Sequence, residues 1–137
     1  MEQVQSLVNE ICPTSTQVWV KRGAILVDVR EQNEVEQLAF DVPSIVNIPL
    51  SEFEIRYKEL AMDKELVIVC RSGSRSLRAA GFLINQGFDP AKVVNMKHGI
   101  IRWVQRGFPT KGDLSGIVDM NTGGCCDHGG NKGSGCC

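Results

Sequence analysis

The sequence predicts an α/β domain built on a parallel sheet covered by helices on both faces. Three observations predict it. Short apolar runs rich in branched residues recur along the chain. Segments with helical spacing lie between them. Gly and Pro mark most of the joins. A branched apolar run without polar alternation is the pattern of a strand buried on both faces. Strands that alternate with helices imply a parallel sheet.

In chain order, the first helix is capped by Thr14 or Ser15, runs to Lys21 and ends at Gly23. Ala24 to Val29 (AILVDV) is the first strand. Glu31 to Leu38 is a short acidic helix. Val46 to Ile48 is a second strand. Ser51 is expected to cap a helix over Glu52 to Leu60, with Glu54 completing a capping box. Leu66 to Val69 (LVIV) is the clearest strand. A helix begins at Ser74 or Arg75, continues to Asn85 and is closed by Gly87. Lys92 to Asn95 (KVVN) is a fourth strand. Gly99 to Arg106 is the last helix, stopped by Gly107 and Pro109.

The chain has 137 residues, 42% hydrophobic and 23% charged. That is enough to bury one core and is not the composition of a disordered chain. The net charge of -1 creates no general attraction to nucleic acid or to an anionic membrane, so neither is expected as a partner. No apolar run reaches the ~18 residues of a spanning helix. Met1 to Glu10 shows neither a basic start nor an apolar stretch of the signal-peptide kind. A cytoplasmic location, where thiols stay reduced, is the expectation. Character changes after Lys111: residues 1–111 read as the folded domain, and 112–137 as a flexible tail rich in Gly and Cys.

Chemistry concentrates between the clearest strand and the helix that follows it, in Cys70-Arg71-Ser72-Gly73-Ser74-Arg75-Ser76. Cys70 ends a central strand, where open parallel sheets expose their ligands. Gly73 can take a positive φ, letting the loop curl and turn its N–H groups inward as an anion nest. The next helix aims its positive N-terminal end at the same spot. Arg71 and Arg75 add formal charge. Such surroundings favour a thiolate, which is the reactive nucleophile. Cys70 is therefore the candidate catalytic residue, and Arg71, Ser72, Gly73, Ser74 and Arg75 are the candidate substrate-binding residues.

This loop and its surroundings resemble the rhodanese (thiosulfate sulfurtransferase) family in its small single-domain form, over roughly residues 14 to 110. Leu26-Val27-Asp28-Val29-Arg30-Glu31 is similar to that family's strand followed by Asp-x-Arg. Pro43 and Asn47-Ile48-Pro49 are similar to its Pro and Asn-Ile-Pro stretch. Val94-Asn95-Met96 and Gly99-Ile100 through Trp103 are similar to its closing strand and helix. Phe40-Asp41, Ser44-Ile45 and His98 are departures from the usual pattern. The resemblance implies a three-layer fold whose central, mostly parallel sheet has about five strands. It also implies a sulfurtransferase. A Cys70 persulfide would take sulfane sulfur from a small anionic donor such as thiosulfate and pass it to a thiol or a protein acceptor, with no required cofactor. Related phosphatases place one residue more between Cys and Arg than the four that separate Cys70 from Arg75. That spacing disfavours a phosphatase or arsenate reductase. A sulfur-carrier or metal-trafficking module is the alternative from another class.

Asp28 and Arg30 read as a hydrogen-bonded strand end beside the site, since charges near a buried strand need partners. His98 reads as a solvated or capping residue before a helix. In the tail, Cys125, Cys126, His128, Cys136 and Cys137 admit three readings: a metal or metalloid site, a thiol relay to Cys70, or thiols without a role.

Overall fold

A computed structural model describes residues 8–112. The tail residues Cys125, Cys126, His128, Cys136 and Cys137 lie outside the described residues, so the metal and relay readings of the tail are not addressed by it.

Five strands form the main sheet: β1 (Asn9–Ile11), β2 (Ile25–Asp28), β4 (Ile45–Asn47), β5 (Leu66–Val69) and β6 (Val93–Met96). Their order is β1-β6-β5-β2-β4, and every neighbouring pair is parallel. Clear branched runs supplied the central strands, as expected. Two helices pack on each main face. On one side are α3 (Leu50–Arg56) and α4 (Ser74–Asn85); on the other are α1 (Pro13–Lys21) and α5 (Gly99–Gln105). The sides follow from strand alternation. Val27, Val29, Leu66, Ile68 and Val93 join Phe53, Ala79 and Leu83 in one core. Leu26, Val67, Val69, Val94 and Met96 join Ile100 and Trp103 in the other. This is the expected three-layer arrangement.

Trp103 anchors the second core. It meets Phe40 and Phe108 edge to face, each at 5.2 Å between ring centroids. Its indole N–H donates to the Pro109 carbonyl at 2.8 Å, which satisfies the one polar atom of a fully buried ring.

Several expectations are corrected. Ser51 does not cap the third helix. That helix begins at Leu50 behind Pro49, and Ser51 sits inside its first turn, donating its hydroxyl to Glu31 at 3.0 Å. Proline's fixed φ near the helical value already prepares that entry. The helix also ends earlier, at Arg56, and a 3-10 turn over Tyr57–Glu59 completes the path to Leu60. The capping box lies in α2 (Gln32–Gln37) instead, between Glu31 and Glu34. Leu38 leaves that helix to start β3 (Leu38–Phe40), which pairs antiparallel with β7 (Thr110–Gly112). The short strands β1, β3 and β7 were not expected. Among the described residues no helix is long and apolar enough to cross a membrane.

Candidate active site

The loop from Cys70 to Gly73 joins the carboxyl end of β5 to α4. Gly73 has φ 103° and is the N-cap of α4. This left-handed turn reverses the chain so that two amides face back toward the strand end. The Gly73 N–H donates to Cys70 Sγ at 3.0 Å, and the Ser76 N–H donates at 3.3 Å. The sulfur thus occupies the anion position at the start of a 12-residue helix. Cys70 is fully buried and Gly73 is buried, whereas Arg71, Ser72 and Ser74 are exposed.

A second helix end holds the loop from the other side. The Ile100 N–H of α5 donates to the Cys70 carbonyl at 2.9 Å, and the Ile101 N–H donates to the Arg71 carbonyl at 3.3 Å. This contact requires a glycine at position 99. Its φ is 58°, and a Cβ there would run into the Arg71 carbonyl. His98, at φ 67°, makes the turn into α5 and is the N-cap residue, as the capping reading expected, although its side chain makes no cap hydrogen bond. Partial burial and the neighbouring Arg102 and Lys97 depress its pKa.

Arg75 points its guanidinium at Glu34 rather than lying open over the loop. The two groups form a bidentate pair at 2.7 and 2.9 Å. This pairing raises the Arg75 pKa and lowers that of Glu34, with hydrogen bonding as the main cause in both. Cys70 lies close enough to add a further electrostatic contribution to Arg75. Arg75 therefore supplies positive charge near the sulfur while two of its donors are held by α2.

Asp28 and Arg30 form a buried ion pair beside this loop. The Arg30 guanidinium reaches Asp28 at 2.8 and 3.0 Å, and the Arg30 backbone N–H adds a third bond at 3.0 Å. Asn47 closes the turn by donating to the Asp28 and Arg30 carbonyls at 2.9 and 3.0 Å. Arg30 also lies 5.6 Å from the centre of the Phe40 ring, a cation–π distance.

Ser76, Glu34, Asn95 and Gly99 were absent from the expected site residues. A polar Asn inside the apolar strand Val93–Met96 was a readable signal, because buried polar groups need partners. Glu34, three residues after Glu31, was readable as a capping box.

Comparison with known proteins places this geometry. The rhodanese-like domain family matches residues 14–106. A sulfurtransferase of Allochromatium vinosum is 38% identical over 105 residues, covering 75% of this chain and 94% of that protein. The thiosulfate sulfurtransferase GlpE of Pseudomonas syringae is 35% identical over 81 residues, covering 59% of this chain and 74% of that one. Among solved structures, a rhodanese-related protein of Thermoplasma volcanium superposes with a TM-score of 0.67 at 28% identity. It covers 77% of this chain and 99% of the other. From the Cys70 loop through the closing helix, and across most of its length, this chain belongs to the rhodanese-like domain family.

Proposed function

We propose that the protein is a sulfurtransferase that carries sulfane sulfur on Cys70. The observation that supports this most is the pair of N–H donors on Cys70 Sγ at a helix N-terminus. Such a cradle suits a thiolate that attacks and an anionic sulfur that is then held. The sulfurtransferase names of its relatives point the same way.

The reaction has two displacements. The Cys70 thiolate attacks the outer sulfur of thiosulfate, the S–S bond of the donor breaks, and sulfite leaves with its electron pair. Cys70 is then a persulfide. An acceptor nucleophile such as cyanide, a thiol or a protein thiolate attacks the outer sulfur. The persulfide bond breaks and the Cys70 thiolate returns. Atoms and charge balance without a metal or an organic cofactor. The scheme is covalent catalysis and predicts ping-pong kinetics. The exposed Arg71, Ser72 and Ser74 face the incoming donor, and Arg75 contributes charge from its position on Glu34.

The test is mass spectrometry after incubation with thiosulfate. A gain of about 32 Da, the mass of one persulfide sulfur, is expected on the Cys70 peptide and absent in Cys70→Ser. Thiocyanate should form when cyanide follows. No adduct with thiosulfate or any other sulfane donor would overturn the reading.

A further inference from the structure

The sulfur cradle is backed by a buried polar network that reaches the sheet edge. Asn95 lies on β6, on the same face as Ile68 and beneath the start of α4. It is completely buried, as is Ser76. Its register partner on the edge strand β1 is Glu10. The Asn95 Nδ2 donates to the Glu10 carboxylate at 2.7 Å and to the Gly73 carbonyl at 3.2 Å. The Ser76 hydroxyl donates to Asn95 Oδ1 in a close contact and lies 3.1 Å from the same Gly73 carbonyl.

These contacts fix the amide without ambiguity. A carboxylate offers only acceptors, so the nitrogen of Asn95 must face Glu10. Its oxygen is then turned to Ser76, whose hydroxyl must donate. Both amide hydrogens and the amide oxygen are used. The groups held in this way are Gly73 and Ser76, the two residues whose backbone N–H groups bind Cys70 Sγ. Gly73 is held on both sides: its carbonyl by Asn95, and its N–H by the sulfur.

We infer that Asn95, oriented by Glu10, is a positioning residue that aims the Gly73 and Ser76 amides at the Cys70 sulfur. Asn95 touches neither the sulfur nor a substrate. It acts through the loop. Without it the Gly73 carbonyl keeps two partners from α4 itself, the Leu77 N–H at 3.2 Å and the Ser76 hydroxyl at 3.1 Å, and the left-handed turn at Gly73 loses its tie to β6. The inference rests on the sulfur-transfer reading only for the purpose of the thiolate.

Alkylation of Cys70 by iodoacetamide, followed on the Cys70 peptide by mass spectrometry across a pH series, tests it without any sulfur donor. Failure of the sulfurtransferase reading therefore leaves this test intact. The shape of the pH profile is decisive. A looser loop that merely improved access would raise the rate at every pH. Loss of the two aimed amides moves the profile toward alkaline pH. In Asn95→Leu the profile should move that way, and the neutral-pH rate should fall at least about threefold, as the thiolate fraction falls. Glu10→Ala, at an exposed residue, should move it in the same direction by less. Glu10→Gln, whose amide oxygen can accept from Asn95, should restore it. Profiles equal to wild type in Asn95→Leu and Glu10→Ala would overturn the inference and leave Asn95 as a buried polar group that only satisfies its neighbours. Should Asn95→Leu fail to fold, the comparison of Glu10→Ala with Glu10→Gln decides alone.

Discussion

Arg75 and Glu34 face each other as a bidentate pair at 2.7 and 2.9 Å, which ties the first turn of α4 to α2 across the mouth of the loop. Their side chains are only 30% and 27% exposed, so solvent screens the pair partly and not fully. A double-mutant cycle with Glu34→Gln and Arg75→Met should give a coupling of about 1 kcal/mol in urea unfolding. A coupling indistinguishable from zero would mean that the pair is incidental to stability.

The same pair sets an acid limit. The Arg75 guanidinium holds the Glu34 pKa below its ordinary value of 4.5. A depressed carboxyl stabilises the fold above its unfolded pKa, and that share is lost as pH falls through the lower folded value. Wild-type stability should therefore fall on acidification below about pH 4.5. Glu34→Gln should be less stable at neutral pH but should lose less on acidification. Parallel curves for the two proteins would contradict this.

Gly99 is the tightest backbone contact at the site. A methyl group there meets the Arg71 carbonyl while its φ is 58°. Neither group is a flexible side chain that can swing away. Gly99→Ala should cost about 3 kcal/mol or more in thermal or urea unfolding. It should also slow Cys70 alkylation, because the loop must shift. Gly73→Ala meets a gentler obstacle, with the His98 backbone nitrogen at 3.0 Å, but must hold φ 103°. Its cost should be about 1–2 kcal/mol, and its effect on Cys70 reactivity should exceed its effect on stability. Equal stability losses for the two variants would refute the distinction.

Asp28 and Arg30 are 0% and 3% exposed. Removing one partner leaves the other charge buried. Asp28→Ala should therefore destabilise by about 3–5 kcal/mol. Removing both charges with Asp28→Asn and Arg30→Met should cost less than Asp28→Ala alone. Calorimetry of the three proteins separates these cases.

Much of the fold was readable from local pattern. The strand Leu66–Val69 and the helix Ser74–Asn85 have unmistakable signals, an apolar branched run and an amphipathic repeat. The loop between them carries its own instructions in Cys70, Gly73 and the helix start. What escaped were the short strands. Asn9-Glu10-Ile11 has neither alternation nor branched residues beyond Ile11, and it is a strand because β6 offers it an open edge. Leu38-Ala39-Phe40 looks like the end of a helix and becomes a strand because Thr110–Gly112 lies antiparallel to it. The misplaced capping box at Ser51 has the same origin. Ser51 reaches Glu31, a partner 20 residues earlier that no local window contains.

Local pattern alone singled out Cys70 as the candidate nucleophile and indicated what kind of backbone surrounds it. A cysteine at a strand end, a glycine three residues on and a helix start are local features, and local steric and dipolar rules act on them directly. What holds that loop comes from contacts between distant parts of the chain. Glu34 claims two donors of Arg75, Gly99 lets α5 grip the Cys70 and Arg71 carbonyls, and Glu10 and Asn95 brace the amides on the sulfur. These partners are separated along the chain by between 19 and 85 residues. Hydrogen bonds act over about 3 Å, so pairs that distant in sequence become partners only when the sheet order brings their strands and helices together.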